Sequence, residues 1–130
     1  MAVQEMLASG FVVIVIDDDL AVRNSLKFSL EIEGLAVRSY ASVAELLADV
    51  DLGRCSCFVV DQNMPDMQGL DLIALLRARQ FAAPAILITS HPNWSVRARA
   101  QKAGIPIVEK PLLGNALFDK IRDLVAESRL

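Results

Sequence analysis

Histidine, tryptophan and tyrosine occur once each in the 130 residues, and cysteine only twice. With no His or Cys partners at ligand spacing, a zinc site is excluded. Aromatic residues make up 5% of the chain against a hydrophobic share of 54%. The apolar content is therefore aliphatic, the material of buried strands and helix stripes, and an aromatic-rich binding surface is not expected. Clusters of Lys and Arg are missing too. A net charge of −3 and a pI near 5.1 give no footprint for a nucleic-acid backbone, so any DNA target has to be touched by another chain. No apolar run approaches the ~20 residues that a helix needs to cross a bilayer. The first ten residues, with Gln4 and Glu5 among them, lack a basic leader. Membrane insertion and secretion are not expected, and a cytoplasmic location is.

Repeats, low-complexity stretches and linkers are also absent. The length suits one ordinary domain able to bury most of its apolar surface, so a single unit over 1–130 is expected, with its core at about 10–127. Cys55 and Cys57 stand two apart at the start of an apolar run, where strand geometry is expected to point them to opposite faces, as small, buried, reduced residues unable to bridge each other.

Five short apolar runs are present: Phe11–Ile16, Leu35–Tyr40, Cys57–Val60, Ala85–Ile88 and Ile105–Val108. They read as strands. Three are almost continuous in apolar character, which indicates burial on both faces of a parallel sheet. The second carries Arg38 and Ser39 and belongs nearer an edge. Between the runs lie helical periods, clearest at Leu70, Ile73, Ala74, Leu76 and Arg77 and again at Leu117, Ile121, Leu124 and Val125. Asp18 or Asp19 is placed to cap the first helix and Gly34 to end it. Ser42 with Glu45 has capping-box spacing for a short second helix. Pro92 reads as the start of the fourth, and Gly104 as its end. Five βα units with right-handed crossovers predict an α/β doubly wound parallel sheet with the flavodoxin-like strand order 2-1-3-4-5, whose sites lie at the carboxyl ends of the strands.

Those ends carry Asp17, Asp18 and Asp19 after the first strand, Asp61 after the third, Thr89 and Ser90 after the fourth, and Glu109 and Lys110 after the fifth. First and third strands are neighbours in the predicted order, so Asp17, Asp18 and Asp61 share one crevice. Three carboxylates in one place need a proton or a hard divalent cation, and oxygen-only ligands suit Mg²⁺ better than Zn²⁺. A carboxylate there can act as a nucleophile toward phosphorus, with Lys110 and Thr89 on adjacent strand ends to meet phosphoryl oxygens. Backbone N–H groups of Gln62, Asn63 and Met64 are placed to add oxyanion contacts. Each residue also has a bland reading: the Asp run as a solvated turn and helix cap, Lys110 with Pro111 as a loop start, Thr89 and Ser90 as caps of the next helix. It is their joint placement on four strand ends that favours chemistry.

V-I-D-D-D, V-V-D-Q-N-M-P-D-M-Q-G-L-D-L, I-L-I-T-S and V-E-K-P, in this order and over essentially the whole chain, resemble the receiver domains of two-component response regulators. The closest likeness is to the branch that drives helix-turn-helix transcription factors. The resemblance implies that Asp61 is the phosphoacceptor, fed by the phosphohistidine of a histidine kinase or histidine phosphotransfer protein. It implies Mg²⁺, with Mn²⁺ as a substitute, on the carboxylates of Asp18 and Asp61 and the backbone carbonyl of Asn63, with Asp17 acting largely through a metal-bound water. Thr89 and Lys110 would bind the phosphoryl group, and Lys110 would pair with Asp61 beforehand. The chain would be a signalling switch with self-phosphotransfer and slow autodephosphorylation, not a turnover enzyme. With little sequence beyond the fifth helix, at Glu127 to Leu130, no output domain is expected in these residues.

One departure stands out. The position where the family carries a switch aromatic on the fifth strand falls on Ile107, and the segment Gly104 to Val108 looks one residue short and is stiffened by Pro106. Asn63, Ser90, His91, Ile107 and Trp94 are therefore candidate modulators. His91 is either an exposed residue before Pro92 or a group that steers attacking water. Trp94 either packs at the sheet edge or anchors a partner or a second copy on the face of fourth helix, fifth strand and fifth helix. Two rival functions remain from the residues. One is a receiver-shaped interaction module that does not use phosphorylation. The other is an Asp-nucleophile, Mg²⁺-dependent phosphatase of the haloacid-dehalogenase type, which would need an acid two residues after Asp61, where Asn63 stands.

Overall fold

The computed structural model describes residues 10–112 and 114–128. The sequence readings on Gln4, Glu5, Arg129 and Leu130 lie outside them. In chain order the elements are β1 (Val12–Ile16), α1 (Leu20–Ile32), β2 (Ala36–Tyr40), α2 (Val43–Leu47), a single 3₁₀ turn (Leu52–Arg54), β3 (Cys57–Asp61), α3 (Gly69–Ala78), β4 (Ala85–Thr89), α4 (Trp94–Lys102), β5 (Ile107–Glu109) and α5 (Ala116–Ser128). All strand pairs are parallel and the order is β2-β1-β3-β4-β5, as the alternating pattern predicts.

Each sheet face is covered. Leu26 and Leu30 of α1, with Leu117, Phe118, Ile121 and Val125 of α5, pack on Val13, Val15, Val59, Ile86 and Ile88. The other strand residues, Ile14, Ile16, Phe58, Val60 and Leu87, meet Val43 and Leu46 of α2, Leu70, Leu72, Ile73 and Leu76 of α3, and Ala100 of α4. Period-2 alternation sends successive side chains of one strand into different layers, so β1, β3 and β4 have to be apolar throughout. Edge strand β2 is only partly buried. Its Arg38 pairs with Asp49 at 2.8 Å, and the Tyr40 hydroxyl donates to the same carboxylate. Burial and that carboxylate push the Tyr40 phenol up to about 12.

Several boundaries differ from the sequence reading. Residues Asp61, Thr89 and Glu109 are the last residues of their strands, not the first of the loops. β5 begins at Ile107, not Ile105, because Ile105 spends its N–H on the Ala100 carbonyl, which closes α4, and Pro106 has no N–H to give. Helix α4 begins at Trp94 with Asn93 as cap, its side chain accepting from Val96 N at 2.8 Å, so Pro92 lies outside the helix. For α1 the cap is Asp19, accepting from Ala21 N at 2.9 Å and Val22 N at 3.3 Å. Gly34 (φ 90°) and Gly104 (φ 71°) follow α1 and α4 in left-handed conformations, as their C-terminal positions predict. Ser42 accepts from Glu45 N at 3.1 Å, but Glu45 returns to Ala41 N, one residue earlier than a standard capping box. Both cysteines are free; Cys57 is buried and Cys55 half-buried. They do face different layers. Strand geometry is not the reason, since residues two apart on a strand share a face; Cys55 precedes β3, at the end of the 3₁₀ turn.

Candidate functional site

The carboxyl ends of β1, β3 and β5 bring three carboxylates and one ammonium together. Asp17, Asp18 and Asp61 each offer an oxygen, and these oxygens lie within 4.8 Å of one another. Asp17 and Asp61 are buried, at 0% and 3% exposure, whereas Asp18 is open to solvent. Lys110 reaches in from just beyond β5, with Nζ 3.1 Å from Asp17 Oδ2 and 3.2 Å from Asp61 Oδ1.

The backbone holds these groups in place. Asp17 N donates to the Tyr40 carbonyl at 3.2 Å, and the Arg23 guanidinium donates to the Asp17 carbonyl at 2.7 Å. Asp17 Oδ1 accepts from Asp19 N at 2.9 Å. Its Oδ2 is buried and has the Lys110 ammonium beside it but no aligned hydrogen bond. The ion pair offsets its charge, but without an aligned donor the oxygen keeps acceptor capacity unused in a dry place.

Electrostatics follow from the crowding. Burial, and then the charge of Asp17, push the Asp61 carboxyl up from the ordinary 3.8 to about 6, although Lys110 and the Asn63 N–H pull the other way. Lys110 is held above its usual value: burial opposes its charge, and its close contacts with the carboxylates of Asp17 and Asp61 outweigh that. A pocket with two buried carboxylates, an underused carboxylate oxygen and oxygen donors only fits a hard divalent cation.

Around the acids lies a second set of fastenings, of which the sequence reading took no account. Gln62 is buried, and its side chain accepts from Leu70 N at 2.9 Å, supplying α3 with the cap that Gln68 does not make. Gly69 N donates to the Gln62 carbonyl at 3.0 Å. A Cβ on Gly69 would stand 2.4 Å from the Asp61 carbonyl oxygen and 2.9 Å from Gln62 Cα, so only glycine lets α3 start this close to Asp61. Asp66 caps α2 from outside, accepting from Val43 N at 3.0 Å. Gly69 was visible as a glycine opening an otherwise apolar helix, and Gln62 as a polar residue in an apolar stretch. Arg23 and Asp66 carried no signal beyond being charged.

Gln62 N is spent on the Ile88 carbonyl within the sheet and is not available for the oxyanion contact expected of it. Asn63 N donates to Asp61 Oδ1 at 3.4 Å. Thr89 is buried, its hydroxyl taken up by Asn63 Nδ2 and the Ser90 carbonyl, both at 3.3 Å. Ser90 and His91 are exposed, with His91 in the left-handed region (φ 47°). Trp94 is 81% exposed and not packed at the sheet edge. Ile107 is half-buried against the α2–α3–α4 layer, paired with Leu87 and so two residues below Thr89.

The model of the response regulator receiver domain matches residues 13–122. The chain belongs to this family. Among curated relatives, this receiver is 35% identical over 126 residues to the C4-dicarboxylate transport transcriptional regulatory protein DctR of Rhodobacter capsulatus, covering 93% of this chain and 64% of DctR. It is 41% identical over 116 residues to the transcriptional regulatory protein FixJ of Azorhizobium caulinodans, covering 88% of this chain and 54% of FixJ. The chain thus spans between about half and two thirds of the length of these relatives. Among solved structures, FixJ-N superposes with a TM-score of 0.77 at 32% identity, over 90% of this chain and 94% of that one. The response regulator StyR gives 0.79 at 34%, over 91% and 62%. Receivers are signalling switches of two-component systems, and this one has an acidic cluster able to hold a metal ion. Among the described residues no helix is long and apolar enough to cross a membrane.

Proposed function

We propose that Asp61 accepts a phosphoryl group from the phosphohistidine of a histidine kinase or histidine phosphotransfer protein, in a Mg²⁺-dependent reaction, and that this changes the receiver's affinity for a partner. One observation carries the reading: a buried Asp61 carboxylate, its proton affinity raised, shares a single pocket with Asp17, Asp18 and Lys110.

The carboxylates of Asp18 and Asp61 and the Asn63 carbonyl would hold Mg²⁺, with Asp17 reaching it through water. When bound, the ion neutralises the acids and draws charge from the phosphoryl oxygens. Above about pH 6 the Asp61 carboxylate is ionised and nucleophilic. Its oxygen attacks phosphorus as the P–N bond to the donor imidazole breaks; the imidazole leaves with the electron pair and takes a proton from water. Lys110, already 3.2 Å from Asp61, meets the charge gained by the phosphoryl oxygens, and Thr89 supplies a hydroxyl donor. No residue two positions beyond Asp61 can act as an acid, since Asn63 stands there, so the acyl phosphate waits for water and the protein behaves as a switch.

A partner has a place to dock. A cavity of about 670 Å³ beside Lys110 is walled by Ala21, Val22 and Leu26 of α1, by Pro111 and Leu112, and rimmed by Ser90 and His91. An apolar trough that ends at the reacting group suits a helix bearing a phosphohistidine. Trp94, exposed at the start of α4, offers a separate anchor for an output partner or a second copy, and a groove lies at the other end of that helix, between Gln101, the Gly104–Pro106 segment and α5.

Intact-mass measurement after acetyl phosphate and Mg²⁺ tests the reading. The wild type is expected to gain one phosphoryl group, and Asp61→Asn none. An unmodified wild type would favour an interaction module that does not use phosphorylation, and multiple turnover of a small phosphate ester would favour a phosphatase.

A further inference from the structure

The route from Asp61 to the rest of the molecule needs a first step, and at Ile107 there is no ring to take it. What the structure offers instead is Asn63. Its backbone N–H donates to Asp61 Oδ1 at 3.4 Å, and its side-chain Nδ2 donates to Thr89 Oγ1 at 3.3 Å. One residue therefore contacts the phosphoacceptor with its main chain and the phosphoryl-binding hydroxyl with its side chain.

The two ends of the Asn63–Thr89 bond differ in what they lose when it breaks. Thr89 is 2% exposed, and a buried hydroxyl needs protein partners. Its other partner, the Ser90 carbonyl, takes the hydroxyl proton, so Asn63 is what occupies the acceptor side. Asn63 itself is exposed, and its carboxamide finds water on release at little cost. If a new acceptor appears on Asp61, the Thr89 hydroxyl turns its proton from the Ser90 carbonyl toward it, and the same rotation of the oxygen carries it away from the Asn63 amide, which is left to solvent. Lys110, bound to both Asp17 and Asp61, is engaged in the same way. The resting site thus has its phosphoryl-binding groups already paired.

We infer that Asn63 is a positioning residue for Thr89: its carboxamide holds the Thr89 hydroxyl at rest, and its backbone contact with Asp61 makes that hold depend on the state of the phosphoacceptor. This deepens the phosphoacceptor reading and rests on it for its signalling consequence. The loop carrying Asn63 is suited to such a task. It is pinned on both sides of Asn63, by Gln62 and Gly69 at the root of α3 and by Asp66 on α2, so a change at Asp61 is taken up locally at Asn63.

Thr89 is the only threonine in the chain, so methyl-labelled threonine gives the full protein one resonance that reports on this position. In unmodified protein, Asn63→Ala is expected to displace that resonance, in the direction produced by beryllofluoride and Mg²⁺ in the wild type. Asp61→Ala is expected to displace it in the wild-type background and to add little in the Asn63→Ala background. The urea midpoints of Asn63→Ala and Thr89→Val are expected to be non-additive, the double variant losing less than the sum. An unmoved threonine resonance in Asn63→Ala together with additive midpoints would overturn the inference. These measurements use unmodified protein. Failure of beryllofluoride to move the wild-type resonance would count against the phosphoacceptor reading alone, and the Asn63 variants would still decide the hold on Thr89.

Discussion

Helices α3 and α4 leave adjoining strands and cover the same face of the sheet, yet they are attached by different forces. α3 buries Gly69, Leu70, Leu72, Ile73 and Leu76, and its first turn is tied to the peptide of Asp61 through Gln62. α4 buries Ala100 alone. Its remaining fastenings include charged contacts: Arg97 to Glu109 of β5 at 2.5 Å, Arg99 to Asp71 of α3 at 2.7 Å, and Arg77 of α3 to the Ala103 carbonyl at 2.7 Å. Apolar burial resists any displacement in proportion to area, whereas half-exposed ion pairs exchange for water and salt at small cost. The helix rooted beside Asp61 is therefore the rigid one. The helix that follows Thr89 and carries the exposed Trp94 is the one that can be moved cheaply.

Removing apolar contact from α3 should produce the largest effect. Leu72→Ala is expected to cost about 2–5 kcal/mol by urea denaturation, and a loss below 1 kcal/mol would erase the contrast with α4. Next comes the acid at the root of α3. In chelator, the Asp61 carboxyl takes its proton at about 6 in the folded protein against 3.8 ordinarily. Protonation stabilises the fold fully below pH 3.8, and that stability is lost as pH rises through about 6. At ~1.4 kcal/mol per pH unit between these values, the loss is on the order of 3 kcal/mol. Asp61→Asn should accordingly raise the urea midpoint at pH 7.5 and flatten the stability profile between pH 4 and 6; a profile as steep as that of the wild type would place the repulsion elsewhere.

Gly69→Ala is expected to destabilise by about 1–3 kcal/mol, because the new methyl meets backbone that cannot yield. It should also slow phosphorylation by acetyl phosphate, measured by intact mass over time. The smallest effect belongs to α4. Arg97 and Glu109 are each 53% exposed, so Arg97→Ala should cost less than about 1 kcal/mol, and less again in high salt. A salt-independent loss of the size expected for Leu72 would show that α4 is held as firmly as α3.

The fold was largely legible. Uninterrupted apolar runs on β1, β3 and β4 demanded burial on both faces, and that demand, with alternating helices, leads to a covered parallel sheet and the 2-1-3-4-5 order. Element ends were less legible, because a proline or a glycine tells where regular structure stops without telling which carbonyl takes the last N–H. Ile105 looked like strand and closes a helix; Pro92 looked like a helix start and stands two residues before it.

The sequence by itself also determined which charged groups meet at the carboxyl end. Asp17, Asp18, Asp61 and Lys110 sit at strand ends, and strand ends in this fold converge, so residue type and order were sufficient to assemble the pocket that the structure contains. Only the tertiary structure decided how Thr89 and Asp61 are connected, and which helix is free to respond. Those are matters of single hydrogen bonds and of burial between elements distant in sequence. The Asn63 amide meets Thr89 across 26 positions, the space left for Gly69 depends on Asp61 and Leu87, and the polar face of α4 becomes a weak attachment only once Glu109 and Asp71 are its partners.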